Sequence, residues 1–193
     1  MRVIVAEDVQ FYRELLVTML ESNGLNVIGQ AASASELLAR VDAAPPELVL
    51  ADIRMPPTHT DDGLRAALEL RARHPEVAVI LLSQHGEAEY ATQMAQGLGE
   101  RAGYLLKEEA SSIEKLLDTI NRVTHGELVI DSVVVKKLLG RTRVSNPLDS
   151  LTRRELEVVS LMAQGRSNAA IAKQLYISGG PDLLHPPEAR TAA

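Results

Sequence analysis

Five polar residues each stand where an apolar run stops. Glu7 and Asp8 follow residues 2–6, Asp52 closes residues 48–51, Ser83 follows residues 77–82, and Lys107 follows residues 103–106. Three carboxylates brought together repel one another unless a cation lies among them. A hard divalent ion with oxygen ligands, Mg²⁺ above all, suits such a donor set. A carboxylate can also act as a nucleophile and carry a phosphoryl group as an acyl phosphate. Phosphoryl transfer asks mainly for positioning and charge stabilisation. Asp52 is therefore the expected phosphoacceptor. Glu7 and Asp8, with Asp52, are expected to hold the metal. Ser83 is expected to hydrogen-bond one phosphoryl oxygen, and Lys107 to pair with another.

The elements must bring these residues to one place. Residues 48–51 are continuously apolar, as a strand buried on both faces should be, and Met55-Pro56-Pro57 cannot prolong it because proline has no N–H to donate. Residues 2–6, 25–31, 77–82 and 103–106 read as four further strands. Between them lie helical stretches at 9–22, 63–74, 87–96 and 111–124, and one carrying Leu37, Leu38 and Val41. Ser33 or Ser35 can cap that helix, and Ser111 with Glu114 spells a capping box for the last. Alternating strands and helices predict an α/β fold, a five-stranded parallel sheet covered on both faces with right-handed crossovers. All five polar residues then fall at the C-terminal ends of the strands, where open sheets of this kind bind ligands.

Residues 1–125 resemble a receiver domain of a two-component response regulator. The matching pieces are Val5-Ala6-Glu7-Asp8, Leu50-Ala51-Asp52-Ile53-Arg54-Met55-Pro56, Ile80-Leu81-Leu82-Ser83 and Gly103-Tyr104-Leu105-Leu106-Lys107. The resemblance implies a flavodoxin-like fold, Mg²⁺ as cofactor, and a phosphoryl group taken from a sensor histidine kinase. It implies that the backbone carbonyl of Arg54 completes the metal shell. It also implies that Ser83 and Tyr104 form the switch, Tyr104 rotating inward once Ser83 is drawn to the phosphoryl group. Many receivers follow the lysine with proline; Glu108 stands there in this chain.

The later part reads differently. Residues 126–150 are expected to be a linker holding a short helix at 131–139 with Val133, Val134 and Leu138. Residues 151–178 then carry Leu151-Thr152-Arg153-Arg154-Glu155 and Gly165-Arg166-Ser167-Asn168-Ala169-Ala170-Ile171-Ala172. This is similar to the opening of a NarL/LuxR-type helix-turn-helix, a family that implies DNA as a partner. Its recognition helix should follow and enter the major groove. Here Gly179-Gly180-Pro181 and Pro186-Pro187 break the segment, and Arg190 is the one cation in residues 179–193. That irregular tail is expected to supply no groove helix. The apolar faces of Leu156, Val159, Ile171 and Leu175 would then be left open, and the segment is expected either to be loose or to form a homodimer that hides them.

Composition narrows the remaining classes. The chain has no cysteine, which excludes disulfides and thiolate metal sites. Its five histidines are scattered and read as surface or loop residues. No apolar run reaches the roughly 18 residues of a membrane helix, and a cytoplasmic location is expected. Residues 1–125 hold 11 basic and 19 acidic side chains, whereas residues 126–178 hold 8 and 5, so two modules with different partners are expected. A conventional enzyme is disfavoured. Arg54 stands two residues after Asp52, where aspartyl-phosphate phosphatases often place a second acid, and Glu7-Asp8-Val9 replaces the glycine turn of dinucleotide sites. Two readings stay open: a transcription-regulating response regulator, or a receiver acting through protein contacts or as a phosphate sink.

Overall fold

The computed structural model describes residues 1–144 and residue 161. The chain divides into two compact units, Met1–Gly140 and Arg141–Ala193. The helix-turn-helix expected at 151–178, Leu161 apart, and the tail at 179–193 lie outside the described residues; Leu161 itself is helical and buried.

In the first unit, strands and helices alternate. β1 (Arg2–Ala6), β2 (Asn26–Ala31), β3 (Leu48–Asp52), β4 (Ala78–Ser83), β5 (Ala102–Leu106) and β6 (Leu128–Ile130) form one parallel sheet in the order β2-β1-β3-β4-β5-β6. The helices are α1 (Gln10–Ser22), α2 (Ala34–Ala43), α3 (Asp62–Arg73), α4 (Ala88–Leu98), α5 (Lys107–Ala110), α6 (Ile113–Thr124) and α7 (Ser132–Val144). Successive strand side chains point to opposite faces. Val3, Val5, Leu48 and Leu50 accordingly pack with Leu16 and Leu20 of α1 and Leu116 and Ile120 of α6. Ile4, Ala6, Val49 and Ala51 pack on the other face with α2, α3 and α4, through Leu37, Leu64 and Met94. Every residue of β3 and β4 is buried, which explains their unbroken apolar runs.

Two details differ from the sequence reading, the first and third below, and the second resolves an alternative it left open. First, Leu128–Ile130 adds a sixth strand beside β5, and α7 follows it with Val134 buried in the core. Second, Ser33 is the residue that caps α2, its hydroxyl accepting from the Glu36 N–H at 3.2 Å. Third, the Ser111–Glu114 capping box does not form. Residues 107–110 wind into the short helix α5, and the Ser111 hydroxyl donates back to the Glu108 carbonyl at 2.5 Å. Ser112 occupies the N-cap of α6 without a side-chain hydrogen bond. Ser111 thus ends one helix instead of opening the next.

Candidate functional site

Strand register assembles the site. Ala6 pairs with Ala51, so Glu7 and Asp52 are neighbours one step further along. Asp52 pairs with Leu82 and Ser83 with Leu106, which carries the register across to Lys107. Carboxylate oxygens of Glu7, Asp8 and Asp52 lie within 4.8 Å of one another. Lys107 Nζ stands 2.7 Å from Glu7 Oε2 and 3.0 Å from Asp52 Oδ2. Of the five side chains predicted to bind metal and phosphoryl charge, the three carboxylates and Lys107 are thus gathered in one place, while the Ser83 hydroxyl is bonded to Glu87 and to the Gly86 N–H.

Burial sets their protonation. Glu7 is fully enclosed, and desolvation pushes its carboxyl from 4.5 up to about 7, against the pull of Lys107 and with a further push from Asp52. Asp52 is raised for the same reason, with Lys107 and the Arg54 N–H opposing. Desolvation acts the other way on the Lys107 ammonium, but its contacts to Glu7 and Asp52 outweigh it and hold the group above its ordinary value. Apart from the lysine ion pair, Glu7 Oε2 has no hydrogen-bond donor among the described residues. A buried, under-satisfied carboxylate beside two others, all oxygen donors, fits a hard divalent cation.

A pH dependence follows for the metal-free chain. Glu7 holds its proton more tightly folded than unfolded, so its contribution to stability is fully present below about pH 4.5 and is lost as pH rises through about 7. The decline amounts to on the order of 3 kcal/mol, and Asp52 adds in the same direction. Urea titrations of the EDTA-treated chain should show lower stability at mildly alkaline than at mildly acidic pH. Glu7→Gln should flatten that difference; an unchanged slope would refute the assignment.

Several neighbours went unnoticed in the sequence. Tyr12 donates its hydroxyl to the Lys107 carbonyl at 3.0 Å, and the ammonium sits 5.0 Å from the centre of its ring, within cation–π range. Arg13 donates to the Glu7 carbonyl at 2.5 Å. His59, on the loop after β3, places Nδ1 3.3 Å from Asp8 Oδ2; it is a loop histidine, as read, but one that touches the site. The sequence marks Glu87 only as the start of a helix. It accepts from the Ser83 hydroxyl at 2.5 Å and from Arg54 Nη2 at 2.8 Å.

The Tyr104 ring is fully buried, with its hydroxyl donating to the Glu87 carbonyl at 3.2 Å. In the loop before α4, Gly86 has φ +60°, and a Cβ there would fall 2.9 Å from a Leu106 methyl and 3.1 Å from a Val134 methyl. Burial raises the Tyr104 hydroxyl to about 12, so it stays a donor.

A doubly wound parallel sheet with a carboxylate trio and a lysine at the carboxyl ends of its strands defines a receiver-type α/β protein. Two sequence families match the chain: the response regulator receiver domain over residues 3–121, and the bacterial regulatory proteins of the luxR family over residues 149–180. The chain belongs to the response regulator receiver family. It is a two-component response regulator of the luxR type, with receiver and helix-turn-helix domains, a plan consistent with transcription regulation. The oxygen regulatory protein NreC of Staphylococcus aureus (strain MRSA252) is 28% identical over 188 residues, spanning 92% of this chain and 84% of its own. The transcriptional regulatory protein DegU of Brevibacillus brevis is 29% identical over 197 residues, spanning 92% and 80%. Among solved structures, the signal receiver domain of NarL from Mycobacterium tuberculosis shares 31% identity at a TM-score of 0.52, covering 62% of this chain and 95% of that one. RcsB of Salmonella typhimurium aligns at a TM-score of 0.67 and 22% identity, covering 92% and 84%, a likeness of fold alone.

Proposed function

We propose that Asp52 is the phosphoacceptor of this response regulator. The observation that carries it is the contact of Lys107 with both Asp52 and Glu7 inside a cluster of three carboxylates. A carboxylate oxygen of Asp52 attacks the phosphorus of a phosphohistidine on a sensor kinase. The new P–O bond forms as the P–N bond breaks, and the imidazole leaves with a proton. Glu7, Asp8, Asp52 and the Arg54 carbonyl would hold Mg²⁺, which when bound supplies positive charge for the phosphoryl oxygens. Lys107 supplies a second cation, and Ser83 a hydroxyl donor. Incubation with acetyl phosphate should add one phosphoryl group by intact mass in Mg²⁺ and none in EDTA; an adduct formed equally in both would sink the reading.

Ser83 serves the response more than the chemistry. Its oxygen also accepts from the buried Gly86 N–H at 3.0 Å. Ser83→Ala should keep the adduct, lose on the order of 1–3 kcal/mol in urea melts for the orphaned N–H, and blunt any phosphorylation-dependent change in assembly. Equal responses from variant and parent would contradict this.

The output reading is transcriptional. It is supported by the luxR-family match and by the regulators the chain resembles; the homologous-fold protein RcsB has been solved as dimers bound to DNA. A sensor histidine kinase and a second copy of the chain are its proposed partners, DNA is the partner of the first reading only, and the cytoplasm is its proposed location. No described helix is long and apolar enough to cross a membrane. The helix-breaking residues Gly179-Gly180-Pro181 favour the second reading, output through protein contacts. A gel-shift titration with and without acetyl phosphate separates the two, since only the first predicts phosphorylation-dependent protection of a specific site.

A further inference from the structure

Glu87 has no role in the phosphoryl chemistry outlined above, yet it holds two donors from the ends of β3 and β4. Oε2 accepts from the Ser83 hydroxyl at 2.5 Å, and Oε1 accepts from Arg54 Nη2 at 2.8 Å. Arg54 lies two residues beyond Asp52, and Ser83 one residue beyond the strand partner of Asp52. A serine hydroxyl has a single proton to donate. Ser83 therefore cannot serve Glu87 and a phosphoryl oxygen together. The Arg54 guanidinium, too, donates to a carboxylate oxygen through Nη2, a contact that a phosphoryl oxygen could equally accept.

We propose that Glu87 is a positioning residue that stands in for the phosphoryl group before it arrives, occupying the Ser83 hydroxyl and the Arg54 guanidinium until the phosphoryl oxygens on Asp52 displace it. This rests on Asp52 being the phosphoacceptor. The phosphoryl group carries about −1.5 to −2 charges against a single charge on the carboxylate, so it wins both donors. Once displaced, Glu87 remains at the N-cap of α4, where a negative charge is favourable. Its backbone carbonyl and Oε2 are also the acceptors near the Tyr104 hydroxyl, at 3.2 and 3.4 Å. The exchange at Ser83 thus reaches Tyr104 and the start of α4 through one side chain.

The test is a double-mutant cycle on the full chain with beryllofluoride, a phosphoryl mimic, in Mg²⁺, read by fluorine NMR titration. Removing the competitor with Glu87→Ala should tighten beryllofluoride binding about tenfold, the factor one hydrogen bond to a charged group carries. Glu87→Gln should give a smaller gain, because a neutral amide holds both donors less firmly. In a background of Ser83→Ala with Arg54→Ala the gain from Glu87→Ala should vanish. A gain that persists in that background means the carboxylate acts through its charge alone, and overturns the proposal. Unchanged or weaker binding by Glu87→Ala in the parent background overturns it as well, while the phosphoacceptor reading stands. A parent that takes neither beryllofluoride nor a phosphoryl group at Asp52 refutes that underlying reading, and the proposal falls with it.

Discussion

Asp52→Asn is expected to reduce phosphoryl uptake from acetyl phosphate to background. The change is nearly isosteric, so the buried end of β3 and its pairing with β4 should survive. The amide lacks the anionic oxygen that attacks phosphorus. No neighbour is placed to take over. Glu7 is fully buried and held by Lys107, and Asp8 lies beside His59 at the rim. The same substitution removes one of three mutually repelling carboxylates, so the metal-free variant should melt at a higher temperature than the parent while binding Mg²⁺ more weakly. Intact mass, thermal melts and a Mg²⁺ titration read the three effects. A surviving adduct in the variant would remove Asp52 from the mechanism.

The second large effect lies one element further along. Gly63, in the first turn of α3, donates its N–H to the Ile53 carbonyl at 2.9 Å. A Cβ there would fall 1.8 Å from the Asp52 carbonyl oxygen and 2.9 Å from its carbonyl carbon. Both obstacles are backbone and cannot rotate away. Gly63→Ala should therefore cost about 3 kcal/mol or more, either by pushing α3 off the sheet or by dragging the end of β3. Because Asp52 sits on that end, phosphoryl uptake should fall along with stability. Gly24→Asn is the control. Gly24 has φ +78° with nothing within 4 Å of its Cβ position, and asparagine tolerates that conformation. Urea melts should show the control within about 1 kcal/mol of the parent; similar losses for both would mean that close packing at Gly63 is not the cause.

The strands were legible because their cause is local. A parallel strand with helices on both faces must be apolar at every position, and the residue that ends it must be something else. Residues 48–51 and 77–82 show both properties, and from them the sheet, its ends and the candidates Asp52 and Ser83 could be placed. The elements beyond residue 125 were less legible. Leu128–Ile130 is only three residues long and becomes a strand by borrowing hydrogen bonds from β5. The Ser111–Glu114 pattern is a sound local signal that failed because α5 claimed Ser111 first.

The types of the reacting groups, their order and the sheet end at which they stand were thus determined by the sequence alone, since each depends on one strand and its own termination. Which groups touch was decided by the tertiary structure. Lys107 meets Glu7, one hundred residues away, only because β1, β3, β4 and β5 stack in register. Glu87 reaches Ser83 and Arg54 only because the loop before α4 turns at Gly86 with positive φ. Contacts of this kind depend on how separate segments pack in three dimensions, and no spacing along one segment encodes that distance.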